Sequence, residues 1–323
     1  MIADHDTRIA AVRGRRLWDS RGQPAVEVEV RLQCGATGRA TAPSAALVAP
    51  GEAHDLRDGG AAFGGRDVAA ALDWSAVVTR TLAAMLSDRA GAAVQTTPRG
   101  GLRVGGLGGV EAIEAAARAV ERAGFAAGEE MALAVEVRAW RFGRQGRYRM
   151  GDDGRETDTH GMIARYLGWL GRYPIVSLVD PLGIDEIAGM AALVAAAGRS
   201  VEVAVGDAVT GDARRVRRLA DERAASGIVV KPGQAATLTE LGAAVAEGRA
   251  VGLGTVMAAR TGVTDGGWLA HLAVAWGAGQ LAAGGLARGE RTGIWNDLLR
   301  VSDRGAGAHG GCAMRPRSEF PWA

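Results

Sequence analysis

A chain of 323 residues, 48% apolar and 23% charged, is long enough to bury a sizeable core and too apolar to be disordered. The formal net charge is +2 and the arginines are scattered, which argues against a dedicated nucleic-acid binder. No apolar run reaches bilayer length, so no membrane partner is expected. Charges in MIADHDTRIA stand where a signal peptide would be apolar. Cys34 and Cys312 match no zinc or disulfide spacing, and a reducing, cytoplasmic location is expected.

The first part of the chain is strand-like. Residues 9–15 lead through DSRGQP into residues 25–32, where AVEVEVRL alternates apolar and charged side chains, the period of a half-buried strand. Residues 39–42 offer a third strand and residues 43–51 a loop of small residues. Over 67–86, Val68, Leu72, Val78, Leu82 and Met85 recur at helical spacing. Residues 87–109 have no usable period, and their Gly and Pro mark a long connection. A domain boundary is placed near residue 90.

Beyond it the pattern alternates. Predicted helices at 110–123, 159–170, 187–196, 213–224, 238–246 and 268–276 each lead to a predicted strand, at 131–137, 175–179, 201–205, 228–231, 251–257 and 280–282. A last helix is predicted over 293–299, and a Gly- and Arg-rich tail runs from 302 to 323. Six such units in tandem define an α/β protein and favour a (β/α) barrel over an open sheet.

Polar residues recur where the predicted strands stop: Glu136, Asp180, Asp207 and Lys231, then Arg260 and Thr261. In a parallel barrel these ends converge on one face, where active sites are built. Lys231 is the only lysine, so 37 of the 38 Lys/Arg positions are arginine. A guanidinium serves as well as an ammonium on a solvated surface but cannot give up its proton, which marks Lys231 as the candidate for base chemistry. Carboxylates from successive strands facing it could hold a divalent cation through oxygen ligands. Each member also has a structural role open to it. Asp180 before Pro181 could cap a helix, Asp207 could serve a turn, and Arg260 could pair with a neighbouring carboxylate.

Several segments, in order, resemble the enolase family. DSRGQPAVEVEV at 19–30 is similar to the family's DSRGNPTVEVEV, and DLRDGG from Asp55 echoes ELRDG. YPIVSLVDPL at 173–182 resembles YPIVSIEDPL, and VVKPGQAATLTE at 229–240 resembles LIKVNQIGTLTE. AGQLAAGGLARGER, followed by WNDLLRV, is similar to AGQIKTGSLSRSER with YNQLLRI. The resemblance covers residues 8–88 and about 96–301. It implies an N-terminal α+β capping domain (1–90, a short antiparallel sheet plus helix), an incomplete or distorted enolase-type barrel (91–301), the tail, Mg2+ as cofactor, and a homodimer.

Residue by residue, the resemblance implies Lys231 as the base and Glu136 and Asp207 as metal ligands, with Asp180 a further candidate. Arg260, Thr261 and Gln234 become candidates for substrate binding. The departures are as specific. A block is absent between about residues 88 and 96, and with it a catalytic-site His and Glu and the first barrel strands. The family's GDEGGF matches TPRGGL, placing Arg99 at the acid-side Glu, or VGGLGG, placing Leu107 there. Val179 occupies the second metal carboxylate, Leu47 the metal-binding loop serine, Ala259 the His of SHRS, and Ala282 the carboxylate-binding lysine. These losses argue against ordinary 2-phosphoglycerate dehydration. The leading expectation is a diverged lyase or dehydratase that uses Lys231 for α-proton abstraction from a small anionic carboxylate in specialised metabolism, with Mg2+ binding weakened or absent. The alternatives are a non-catalytic scaffold or binding protein, and a site completed by a partner chain.

Overall fold

Strands β1 (Ile9–Trp18), β2 (Pro24–Leu32) and β3 (Thr37–Ala42) form an antiparallel sheet in that order. The structure is a computed structural model and describes residues 8–42, 68–90, 94–150, 155–264, 266–305 and 320. The loop expected over 43–51 with Leu47, the segment from Asp55, Cys312 and most of the tail lie outside the described residues. The β1–β2 turn follows from its sequence, because the Asp19 carboxylate accepts the N–H groups of Arg21 and Gln23 at 2.8 and 3.0 Å.

The alternation expected in β2 is present, but charge faces inward. Ala25 and Glu27 are buried while Val26 and Val28 are exposed. Glu27 stands opposite Arg15 in the β1–β2 register and accepts from it at 2.5 Å. Arg300 of the last helix donates to the same carboxylate. Helix α1 (Val68–Ala90) runs four residues past its expected end.

Residues read as a structureless connection contain a short hairpin, β4 (Gln95–Thr96) with β5 (Leu102–Arg103). Helix α2 (Gly109–Arg122) then leads to β6 (Leu133–Glu136). A small antiparallel sheet of β7 (Gly143–Arg144), β8 (Arg147–Arg149) and β9 (Glu156–Asp158) follows, which no sequence period announces. The rest of the chain alternates as expected: α3 (Thr159–Leu170), β10 (Ile175–Val179), α4 (Ile187–Ala197), β11 (Glu202–Val205), α5 (Ala213–Asp221), β12 (Gly227–Val230), α6 (Leu238–Ala250), β13 (Gly254–Ala258), α7 (Trp268–Ala275), β14 (Gln280–Ala282) and α8 (Gly289–Gly305). Side chains set the helix starts. Asp158, Asp212 and Thr237 each accept a backbone N–H at the first turn of α3, α5 and α6.

The strands β6, β10, β11, β12, β13 and β14 pair in that order, all parallel, and among the described residues β6 and β14 are the edges. Among the described residues this is an incomplete parallel barrel of six strands, as expected. Outward residues such as Leu178, Val203, Ile228 and Met257 pack with the helices in the main core. Ala204, Val229, Val256 and Ala258, with Val179, form a separate apolar cluster. The N-terminal sheet is docked on α8. Asn296 accepts the Trp18 N–H and donates to its carbonyl at 2.9 and 2.8 Å, and Leu17, Trp18, Leu72, Leu286 and Leu299 pack around that contact.

Candidate active site at the strand ends

Parallel pairing brings the ends of β6, β10, β11, β12 and β13 to one face, and the polar residues that follow them meet there. Lys231, one residue beyond β12, has a side chain only 5% exposed. Its ammonium donates to Asp207 Oδ1 at 3.1 Å and to Glu136 Oε1 at 3.4 Å. Glu136 also accepts from Arg138 Nε at 2.9 Å, and its other oxygen accepts from Arg99. Asp207 also accepts from Gln234 at 3.2 Å and from the Trp140 indole at 2.9 Å. Asp180 is buried and turns to backbone, accepting the N–H of Gly206 at 2.7 Å and that of Asp207 at 3.2 Å.

The local backbone is unusual where it matters. Arg138, Asp180 and Thr210 all adopt left-handed φ, at 53°, 49° and 49°, in the loops that follow β6, β10 and β11. Non-glycine residues pay for that conformation, and it aims the Arg138 and Asp180 side chains at the strand-end cluster. Arg138, Trp140, Asp207, Lys231, Gln234 and Arg260 line a cleft of about 560 Å³, a size suited to a small molecule.

Burial pushes the Glu136 carboxyl up, but Arg99, with Lys231 and Arg138, outweighs it and holds the group below its ordinary range. Asp207 is also held low: burial raises it, and the opposing pull of Lys231, Trp140 and Arg138 is larger. Asp180 moves the other way, raised mainly by burial and further by the charge of Asp207.

Of the residues singled out from sequence, Lys231, Glu136, Asp207 and Gln234 are in direct contact, and Asp180 touches the backbone of the same group. Arg260 and Thr261 are exposed at the cleft rim, where Arg260 donates to the Gly233 carbonyl at 2.8 Å. Sequence reasoning missed Arg138 and Trp140, two and four residues past Glu136; the strand-end rule extended by one turn would have found them. Arg99 was visible only as a lost glutamate.

This is a lysine–carboxylate site at the carboxyl end of a parallel α/β sheet, the construction of barrel enzymes that work at their strand ends. The family model described as the enolase N-terminal domain matches residues 9–96, and that of the enolase C-terminal TIM barrel domain matches residues 61–312. The chain belongs to the enolase family, a family of hydro-lyases that typically use Mg2+ and are often dimeric. It is similar to proteins named Enolase 2 from Pseudomonas syringae pv. syringae (strain B728a) and pv. tomato (strain ATCC BAA-871 / DC3000). With each it is 27% identical over 410 aligned positions, covering 92% of this chain and 96% of the relative. An alignment longer than the 323-residue chain leaves room for a block that this chain lacks.

The donor set is a poor fit to Mg2+ as it stands. Both oxygens of Glu136 and both of Asp207 already accept from N–H donors, and Asp180 serves backbone. Val179 presents an apolar side chain at the matching place in β10. Among the described residues no three His, Cys, Asp or Glu side chains converge on one point. Among them, too, no helix is long and apolar enough to cross a membrane.

Proposed function

We propose that this chain is a diverged enolase-family lyase or dehydratase in which Lys231 abstracts the α-proton of a small anionic carboxylate, phosphorylated and phosphonate acids included. Its setting would be specialised metabolism rather than glycolysis. The observation that carries the reading is the placement of the sole lysine, a buried amine at a strand end between two carboxylates held ionised. In that role the amine takes the proton, and the ammonium it becomes rests between Glu136 and Asp207. The Gln234 amide oxygen is buried without a partner and accepts a hydrogen bond from a substrate hydroxyl. Arg260 and Thr261 hold the anionic group at the rim. Glu136, Asp207 and Asp180 serve as counter-charges, with any Mg2+ weakened or replaced. The organisation we propose is a capping unit to residue 90, a barrel unit over 91–301 and a tail over 302–323, assembled as a homodimer.

Phosphonoacetate, whose methylene lies between a carboxylate and a phosphonate, gives a direct test in D2O by proton NMR. The protein is expected to exchange that methylene, and Lys231→Ala and Lys231→Arg are each expected to slow exchange by at least about a hundredfold. Exchange that survives both substitutions would sink the base assignment. A second reading, a non-catalytic scaffold or binding protein, draws on the same contacts, because an amine held by two carboxylates is also a structural bridge. It predicts no exchange by the unaltered protein and a lower melting temperature for both variants.

A further inference from the structure

Where the family's divalent cation would face carboxylates, guanidinium faces them here. Arg99 pairs with one oxygen of Glu136, and Arg138 places Nε and Nη2 on the other at 2.9 and 2.8 Å. Neither arginine is there by accident of a free side chain. Arg99 sits in the turn between β4 and β5, and its carbonyl accepts the Gly285 N–H at 2.8 Å just past β14. That backbone contact needs glycine on both sides. A Cβ at Gly100 would lie 2.5 Å from the Gly285 carbonyl oxygen, and one at Gly284 would lie 2.5 Å from the Arg99 carbonyl oxygen. The turn therefore spans from the β14 side of the open barrel to Glu136 at the end of β6. Arg138 leaves the chain at a left-handed residue, and its guanidinium is held by the two contacts to Glu136.

The charge count points the same way. Arg99, Arg138, Lys231 and Arg260 stand with three carboxylates, Glu136, Asp207 and Asp180, and the fully buried Arg291 lies behind Arg260 with Glu290 near it. Arg291 donates only to backbone, the Ala283 carbonyl at 3.2 Å and the Arg260 carbonyl at 2.8 Å, among its described bonds. Burial, and then the charge of Arg99, push its guanidinium below its ordinary value. With Lys231 as ammonium, the four cationic groups outnumber the three carboxylates by one. Arg138 lines the cleft, and Arg99 reaches the same Glu136 carboxylate from beside it; the two side chains remain 27% and 32% exposed, so neither guanidinium is sealed from solvent.

We propose that the Arg99 and Arg138 guanidinium groups take the place of the metal, so that the site binds a small dianionic acid directly and without a divalent cation. Guanidinium can engage two oxygens of a carboxylate or of a phosphonate at once and supplies fixed positive charge where an enolate would develop. The proposal rests on the reading of this cleft as the substrate site.

Isothermal titration of the full chain with phosphonoacetate, once in EDTA and once in excess Mg2+, tests it. The two affinities are expected to agree, and Arg99→Gln and Arg138→Gln are each expected to weaken binding at least about tenfold with little change in melting temperature. Binding that requires Mg2+, or no binding in either condition, overturns the proposal. So does stoichiometric capture of Mn2+ by the unaltered protein, followed by electron paramagnetic resonance, if Asp207→Ala abolishes it; that measurement does not depend on the arginine variants folding. Proton exchange that needs Mg2+ would leave Lys231 as base and sink this inference alone. Metal-independent binding without exchange would do the reverse.

Discussion

Glu202 lies at the start of β11, at the opposite end of the strand from the Asp207 side of the site, and its carboxyl is buried. It accepts from Ser177 Oγ at 3.1 Å and from Gln280 Nε2 at 2.8 Å, reaching from β11 to β14. Gly227 and Gly254, on the two strands between, make room: a Cβ at Gly227 would come 2.8 Å from Glu202 Oε1. Burial outweighs these hydrogen bonds and raises the group above its ordinary value. A carboxyl raised in the folded state binds its proton more tightly there than in the unfolded chain. Stability is therefore lost as pH climbs from the unfolded carboxyl range through the raised value. Glu202→Gln removes that dependence while keeping the shape and a hydrogen-bonding amide. Melting curves from roughly pH 5 to pH 8 should show the unaltered protein falling behind Glu202→Gln as pH rises. Parallel pH profiles for the two proteins would contradict the assignment.

At the scale of elements, much of the chain was legible because β-branched runs and helical spacing coincide with real packing. The bounds of α3, β10 and β14 match expectation residue for residue. The strands β7, β8 and β9 did not, since two or three residues drawn from Gly, Arg, Tyr, Glu, Thr and Asp carry no apolar period. The turn over 97–101 was unreadable for another reason: its position is set by backbone contact with residues 284–285, far away in sequence, and local propensity holds no trace of that. Lys231 could be singled out because composition isolated it, whereas Arg99 was one arginine among 37. The turn makes its own prediction. Gly100 has φ +73°, which costs a side-chain-bearing residue about 1–2 kcal/mol, and its Cβ would meet the Gly285 carbonyl. Gly100→Ala should lower stability by about 1–3 kcal/mol in urea unfolding and weaken phosphonoacetate binding together. Loss of stability with binding intact would mean that the turn does not position Arg99.

For the whole molecule, the inverted face of β2 has the largest consequence. The Arg15–Glu27–Arg300 contact occupies the inner face of the N-terminal sheet, and the two arginines hold the Glu27 carboxyl low against the burial that raises it. The valines of AVEVEV consequently face away from α8. Val12 and Val26 are 61% and 55% exposed, with Ile9 and Val28 beside them. Apolar β-branched side chains grouped on an exposed sheet face mark an interaction surface more often than a solvated one. The homodimer we propose would bury this face, and it also bears on whether a partner completes the open barrel. Sedimentation velocity on the unaltered protein should give a dimer, and Val28→Asp should shift it to monomer by placing an unpaired charge in the contact. A monomeric unaltered protein would end the dimer proposal. The Val28→Asp monomer also separates two kinds of assembly. If it still binds phosphonoacetate, the Arg99 turn alone closes the site within one chain. If binding disappears with the dimer while the fold melts unchanged, the gap between β6 and β14 is filled from the second copy.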